Sequence, residues 1–166
     1  MINLEIISQS SSETKKIGYL LSQSIFELKK SFYQKALILA LVGDLGSGKT
    51  TFAQGFAKGL GIKEKILSPS FVILKRFPIR HVFFENFYHI DCYRLQKAQE
   101  VKFLNFSEII KSPKNIILIE WAEKIEEKIP LTAFWLYFNY LSKDKRKLII
   151  CSYLSYESEK IDSYRR

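Results

Sequence analysis

The chain has 166 residues, 47% of them hydrophobic and 26% charged, which is ordinary for a soluble globular protein and enough for one domain with a buried core. No apolar run approaches transmembrane length, and Met1-Ile2-Asn3-Leu4-Glu5 lacks a charged leader followed by an apolar stretch, so a cytoplasmic protein without a membrane span is expected. The net charge of +9 admits an anionic partner, but the lysines are scattered with no basic stripe and interleaved aromatics, so a Lys-, Ile-, Phe- and Tyr-rich codon bias accounts for it better than a nucleic-acid face.

Taken in chain order, Asn3 to Ser8 reads as a short edge strand. Ser10 and Glu13 form a capping-box pattern, and Ile17, Leu20, Leu21, Ile25 and Leu28 recur at helical spacing, predicting a helix from about Ser11 to Lys30. The polar stretch Ser10 to Thr14 reads as a plain cap in preference to a contact with a nucleotide base. Ala36 to Val42 is apolar without alternation, as in a strand buried on both faces. Gly43-Asp44-Leu45-Gly46-Ser47-Gly48-Lys49-Thr50 then fits G-x-x-x-x-G-K-[ST], the phosphate-binding loop. Thr50 to Leu60 continues as a helix with Phe52, Phe56 and Leu60 on one side, ending at the Gly59-Leu60-Gly61 turn.

Strand, glycine-rich turn and helix is the arrangement the loop needs. Its successive N–H groups and those at the helix start bind phosphate oxygens. Lys49 brings a mobile positive charge to the terminal phosphates, and Thr50 offers a hydroxyl to Mg²⁺, a hard cation that prefers oxygen. A structural glycine turn that binds nothing does not explain Lys49-Thr50 after the last glycine.

Leu67-Ser68-Pro69-Ser70-Phe71 is a turn leading into a β-rich run. Ser70 is either a hydroxyl that senses the γ-phosphate or its metal, as switch segments do, or part of a Pro turn entering a strand. Phe77-Pro78-Ile79-Arg80 breaks the pattern, so segments 71–76 and 82–90 are expected to pair as a hairpin. Asp91, at the strand end, is a candidate carboxylate near the metal or the attacking water, against the commoner role of a turn residue. His89 reads as packed or exposed, since nothing is spaced to share a metal with it. Cys92 and Cys151 lie far apart and read as reduced thiols that bind no metal.

Gln96 to Phe106 has helical spacing, and Ser107 to Ile110 continues as a helical turn. Ile116-Ile117-Leu118-Ile119-Glu120-Trp121 is a Walker B pattern: a buried strand delivering a carboxylate to Mg²⁺, with Glu120 in place of the usual Asp. Ala133 to Tyr140 and Lys147 to Tyr153 read as a terminal antiparallel hairpin around the charged turn at 143–146. Residues 1–154 are expected to form one domain, and the polar tail, 155–166, to fray.

Together these segments resemble one family. The chain is similar to TsaE (YjeE), the bacterial ATPase needed to make N6-threonylcarbamoyladenosine at position 37 of tRNAs reading ANN codons. The resemblance rests on Gly43 to Phe52, Ser68 to Phe71, His89 to Leu95 and Ile119-Glu120-Trp121, in the family's order. It implies an α/β fold of the P-loop NTPase kind, with a mainly parallel central sheet flanked by helices. It implies ATP and Mg²⁺ as cofactors and slow hydrolysis by the isolated protein. It also implies action with TsaD and TsaB, indirect contact with tRNA through that complex, and no DNA partner. By similarity Gly43 to Thr51 bind nucleotide, Lys49 contacts phosphates, Thr50 and Glu120 hold Mg²⁺, Asp91 is an essential acid, and Trp121 lies beside the site. Ser70 occupies a position where the family has Thr, and Asn105 one where it has Gly; Asn is the next residue most tolerant of an unusual backbone angle.

Two other readings use the same residues. A small-molecule P-loop kinase would need an arginine-bearing lid, and only Arg76, Arg80 and Arg94 lie between the loop and Trp121. A non-catalytic RNA-binding module would bind tRNA by itself with a steep salt dependence.

Overall fold

The computed structural model describes residues 3–27, 34–66 and 74–152. Its middle strand, β2 (Leu37–Val42), alternates its side chains between two separate cores. Leu37, Leu39 and Leu41 face one core, and Ile38 and Ala40 face the other. That is why the segment is apolar at every position although a strand turns successive side chains to opposite faces.

Around β2 stand β1 (Asn3–Ser8), β3 (Leu74–Pro78), β4 (Asn86–Asp91), β5 (Asn115–Glu120), β6 (Phe134–Tyr140) and β7 (Arg146–Ser152), in the order β1-β7-β6-β2-β5-β4-β3. The sheet is mixed. β6, β2, β5 and β4 run parallel in its centre, while β1 on β7, β7 on β6 and β3 on β4 are antiparallel. The expected terminal hairpin is β6–β7, and β1 is an edge strand as expected.

One face is covered by α1 (Ser11–Glu27) and α2 (Lys49–Gly59). The two helices touch through glycines: a Cβ on Gly55 would collide with the carbonyl of Lys15, and one on Gly18 with that of Phe52. Phe52 and Phe56 are completely buried, each contributing about 2–3 kcal/mol by removal of its ring from water. The predicted cap at Ser10 is present: its hydroxyl accepts from the Glu13 N–H at 3.1 Å, and the Glu13 carboxylate accepts from the N–H of Gln9 at 2.6 Å. At the end of α2, Gly61 takes φ 81° and the N–H of Ile62 returns to the Ala57 carbonyl, a left-handed stop of the predicted kind.

The other face is covered by a 3-10 helix at Ala98–Leu104, α3 (Phe106–Ile109) and a 3-10 helix at Ala122–Lys128. The helical spacing read over Gln96 to Phe106 is therefore realised as the tighter 3-10 form. The hairpin expected from 71–76 and 82–90 is β3–β4, shifted towards the C-terminus; residues 71–73 lie outside the described set. Phe77 and Pro78 continue β3, because Phe77 is buried against Phe87 and β3 is the sheet edge, where proline's missing N–H forfeits no ladder bond. The tail and the last residues expected in α1 also lie outside the described set. Among the described residues, no helix is long and apolar enough to cross a membrane.

Candidate functional site

Because β2, β5 and β4 run parallel, their carboxyl ends share one edge of the sheet. Leu41 pairs with Glu120, and Glu120 pairs with Asp91. Phe87, Ile116 and Leu118 lie in the core beneath α1 and α2. Counting by twos from them puts His89, Asp91 and Glu120 on that same face. The loop 43–48 leaves β2 at this edge and opens directly into α2.

Two glycines make the loop's path possible. Gly43 has φ 145°, and a Cβ there would collide with the Phe138 carbonyl of β6. Gly48 caps α2 with φ 103°, a left-handed angle that suits glycine. No side chain caps α2, so the N–H groups of its first turn remain for a ligand, as an anion-binding helix start requires. Inside the loop, the Ser47 N–H bonds the Asp44 carbonyl at 3.1 Å. Among the described residues the buried Ser47 hydroxyl has no partner. Leu45 is exposed at the tip, and Thr51 is half-buried on the first turn of α2.

Lys49 is buried, and its ammonium donates to the carbonyls of Gly43 at 2.5 Å and Asp44 at 2.9 Å. Burial pushes it below the usual lysine range, and the carboxylates of Glu120, Glu123, Asp91 and Asp44 oppose that shift. Its Nζ also stands 3.9 Å from the centre of the Trp121 ring. Trp121 directly follows β5 with φ 58° and ψ 42°, left-handed angles rare for a bulky residue. Tyr93 packs on Trp121 at 5.1 Å between ring centres, and Lys124 ties the adjoining turn down through the carbonyls of Tyr93 and Leu95.

The Thr50 hydroxyl donates to Glu120 Oε2 at 2.6 Å. Glu120 Oε1 meets His89 Nε2 at 2.8 Å, and both side chains are only 2% exposed. The carboxylate is thus fixed at both oxygens, and its outer one is aimed at Thr50. Asp91 is buried, and its Oδ1 accepts the Tyr93 N–H at 2.9 Å. It therefore serves a turn and stands beside the site at once. Among the described residues, no three His, Cys, Asp or Glu side chains gather as a metal cage. One hydroxyl and one carboxylate oxygen instead suit Mg²⁺, which keeps several waters and takes further oxygens from phosphates.

The structure thus brings Gly43, Asp44, Gly46, Ser47, Gly48, Lys49, Thr50, Asp91, Glu120 and Trp121 to one edge. Ser70 lies outside the described residues. Cys92 and Cys151 are buried; burial pushes the Cys92 thiol up to about 12 and raises Cys151 as well. Sequence reasoning missed His89 as the partner of Glu120, Glu123 as a charge near Lys49, and Arg146, whose guanidinium bonds the Gly46 carbonyl at 3.1 Å. Only His89 carried a usable signal: it alternates with Asp91 and so shares its face.

Comparison with known proteins points to one family. The model of the family described as "Threonylcarbamoyl adenosine biosynthesis protein TsaE" matches residues 8–148. The tRNA threonylcarbamoyladenosine biosynthesis protein TsaE of Bacillus subtilis is 35% identical over 132 residues, 76% of this chain and 77% of that protein. The protein of that name from Rickettsia felis is 33% identical over 155 residues, covering 93% and 81%. A crystal structure of Bacillus subtilis YdiB superposes with a TM-score of 0.70 at 28% identity, over 99% of this chain and 92% of the other.

Proposed function

The chain belongs to the TsaE family, and from that premise we propose that it binds and hydrolyses ATP as a subunit of the machinery that makes N6-threonylcarbamoyladenosine in tRNA, acting with TsaD and TsaB without transferring the group itself. The observation that carries the nucleotide part is the 2.6 Å contact between Thr50 Oγ1 and Glu120 Oε2 beside a phosphate-binding loop and a buried Lys49. The family and the names of its relatives support the tRNA part.

In this reading the loop N–H groups and the start of α2 bind the β- and γ-phosphates. Lys49 exchanges the carbonyls of Gly43 and Asp44 for phosphate oxygens, whose negative charge offsets the desolvation of its ammonium. Thr50 and Glu120 would hold Mg²⁺, which when bound neutralises phosphate charge. Asp91, directly opposite Glu120 in the β4–β5 register, orients the attacking water or takes its proton. Hydrolysis by TsaE then resets the TsaD–TsaB assembly between cycles.

Purified Lys49→Ala and Glu120→Ala proteins are expected to show no ATP turnover above background, and wild-type rates in both would overturn the site. Depleting the protein is expected to lower threonylcarbamoyladenosine in bulk tRNA, measured by mass spectrometry. An unchanged level would overturn the pathway assignment while leaving the nucleotide site standing.

A further inference from the structure

We propose that Arg146 is a positioning residue for the phosphate-binding loop, clamping it from outside through the carbonyl of Gly46. Arg146 is the first residue of β7, at the foot of the turn that follows β6. One arm of its guanidinium, Nη2, donates to the Gly46 carbonyl at 3.1 Å. The other, Nη1, donates to the turn carbonyls of Ser142 at 2.7 Å, Lys143 at 3.2 Å and Lys145 at 2.9 Å. The group lies 4.6 Å from the centre of the Tyr140 ring. Its stem runs past Gly48, with Cγ 3.8 Å from where a Cβ on that glycine would sit.

The loop binds phosphate with inward N–H groups, so its selectivity for that shape depends on what fixes the peptides from behind. Gly46 and Gly48 both hold positive φ angles, and glycine by itself leaves many other conformations open. A charged donor on an outward carbonyl favours one of them and sets a second positive charge against the loop. Among the described residues Arg146 Nε is buried without a partner, an unfavourable arrangement. Lysine cannot replace it, because one ammonium cannot serve the loop and the turn with two arms at fixed geometry.

The clamp itself is testable without nucleotide; only its effect on affinity rests on the proposed function. Arg146→Met keeps the stem and removes the fork, and Arg146→Lys keeps the charge. Hydrogen exchange on the nucleotide-free proteins is expected to show faster exchange at the Ser47 and Gly48 amides in both variants, with β6 and β7 unchanged. Calorimetry with Mg-ATP is expected to show about tenfold weaker binding in both, the weight of one charge-assisted hydrogen bond. Unchanged loop exchange in Arg146→Met overturns the clamp. So does faster exchange spread through β6 and β7, which would mark a merely structural role, and so does full rescue by Arg146→Lys. A wild-type protein that takes up no Mg-ATP would sink the nucleotide reading, and loop exchange would still decide the clamp.

Discussion

Two residues without glycine's freedom turn the described backbone left-handed, and they do it at corners of opposite kind. Asn105, exposed between the 3-10 helix Ala98–Leu104 and α3, has φ 52° and ψ 32°. Trp121, between β5 and the 3-10 helix Ala122–Lys128, has φ 58° and ψ 42°. The backbone demand is almost the same, but the residues answering it are not. Asparagine is among the side chains that tolerate this region, and tryptophan is not. At Asn105 the local preference agrees with the fold. At Trp121 it opposes the fold, and what is gained is the ring's position, 3.9 Å from Lys49 Nζ and 5.1 Å from Tyr93. A strained angle kept by an unsuitable residue thus marks the corner where a side chain must point one way.

The sharpest way to break that contrast is to remove the ring while varying only the backbone. Trp121→Gly and Trp121→Ala both delete the ring beneath Lys49, so both are expected to weaken Mg-ATP binding by about tenfold. The two should differ in stability, with glycine better than alanine by about 1 kcal/mol in a denaturant melt, because only glycine takes the left-handed angle freely. Unaltered nucleotide affinity in both would mean that the strain serves something other than Lys49.

A smaller effect is expected from His89, which holds Glu120, the residue before Trp121. His89→Ala leaves a buried Glu120 oxygen without its 2.8 Å partner. The Mg²⁺ concentration needed for half-maximal nucleotide binding is expected to rise about fivefold, and His89→Gln, which keeps a donor, should recover most of the loss. If His89→Ala changes thermal stability alone, the corner positions the tryptophan ring and leaves the carboxylate to fend for itself.

How much of this was legible beforehand follows from how local each cause is. The loop from Gly43 to Thr50 is contiguous and could be read directly, as could β2 from its unbroken apolar run and Glu120 from the strand before it. The left-handed angle at Asn105 was legible because the family resemblance suggested a glycine there and asparagine is its nearest substitute. The left-handed Trp121 was not, since nothing in its neighbours asks for that angle. His89 and Glu120 are 31 residues apart and meet only through the β4–β5 register. Arg146 reaches Gly46 across 100 residues, and the charged turn at 143–146 read simply as the link between two strands. Pro78 misled for the opposite reason: proline breaks most strands, and only the tertiary position of β3 at the sheet edge makes it harmless.

The smallest expected effect completes the comparison. Asn105→Gly should change stability by less than about 0.5 kcal/mol, since glycine gains angular freedom and loses it again on folding. Asn105→Ala should lose about 1 kcal/mol against Asn105→Gly, the same gap expected between the two Trp121 variants. Neither Asn105 variant should alter Mg-ATP affinity, because Asn105 is exposed and, among the described residues, its backbone bonds run to Lys102, Glu108 and Ile109 and not to the loop edge. An equal gap at both corners would show that the backbone term is transferable, and the affinity lost only at Trp121 would then belong to the ring. Weakened nucleotide binding in Asn105→Ala would instead show that the α3 corner communicates with the site, through Asn115 of β5, whose side-chain amide donates to the Ile109 carbonyl at 2.9 Å.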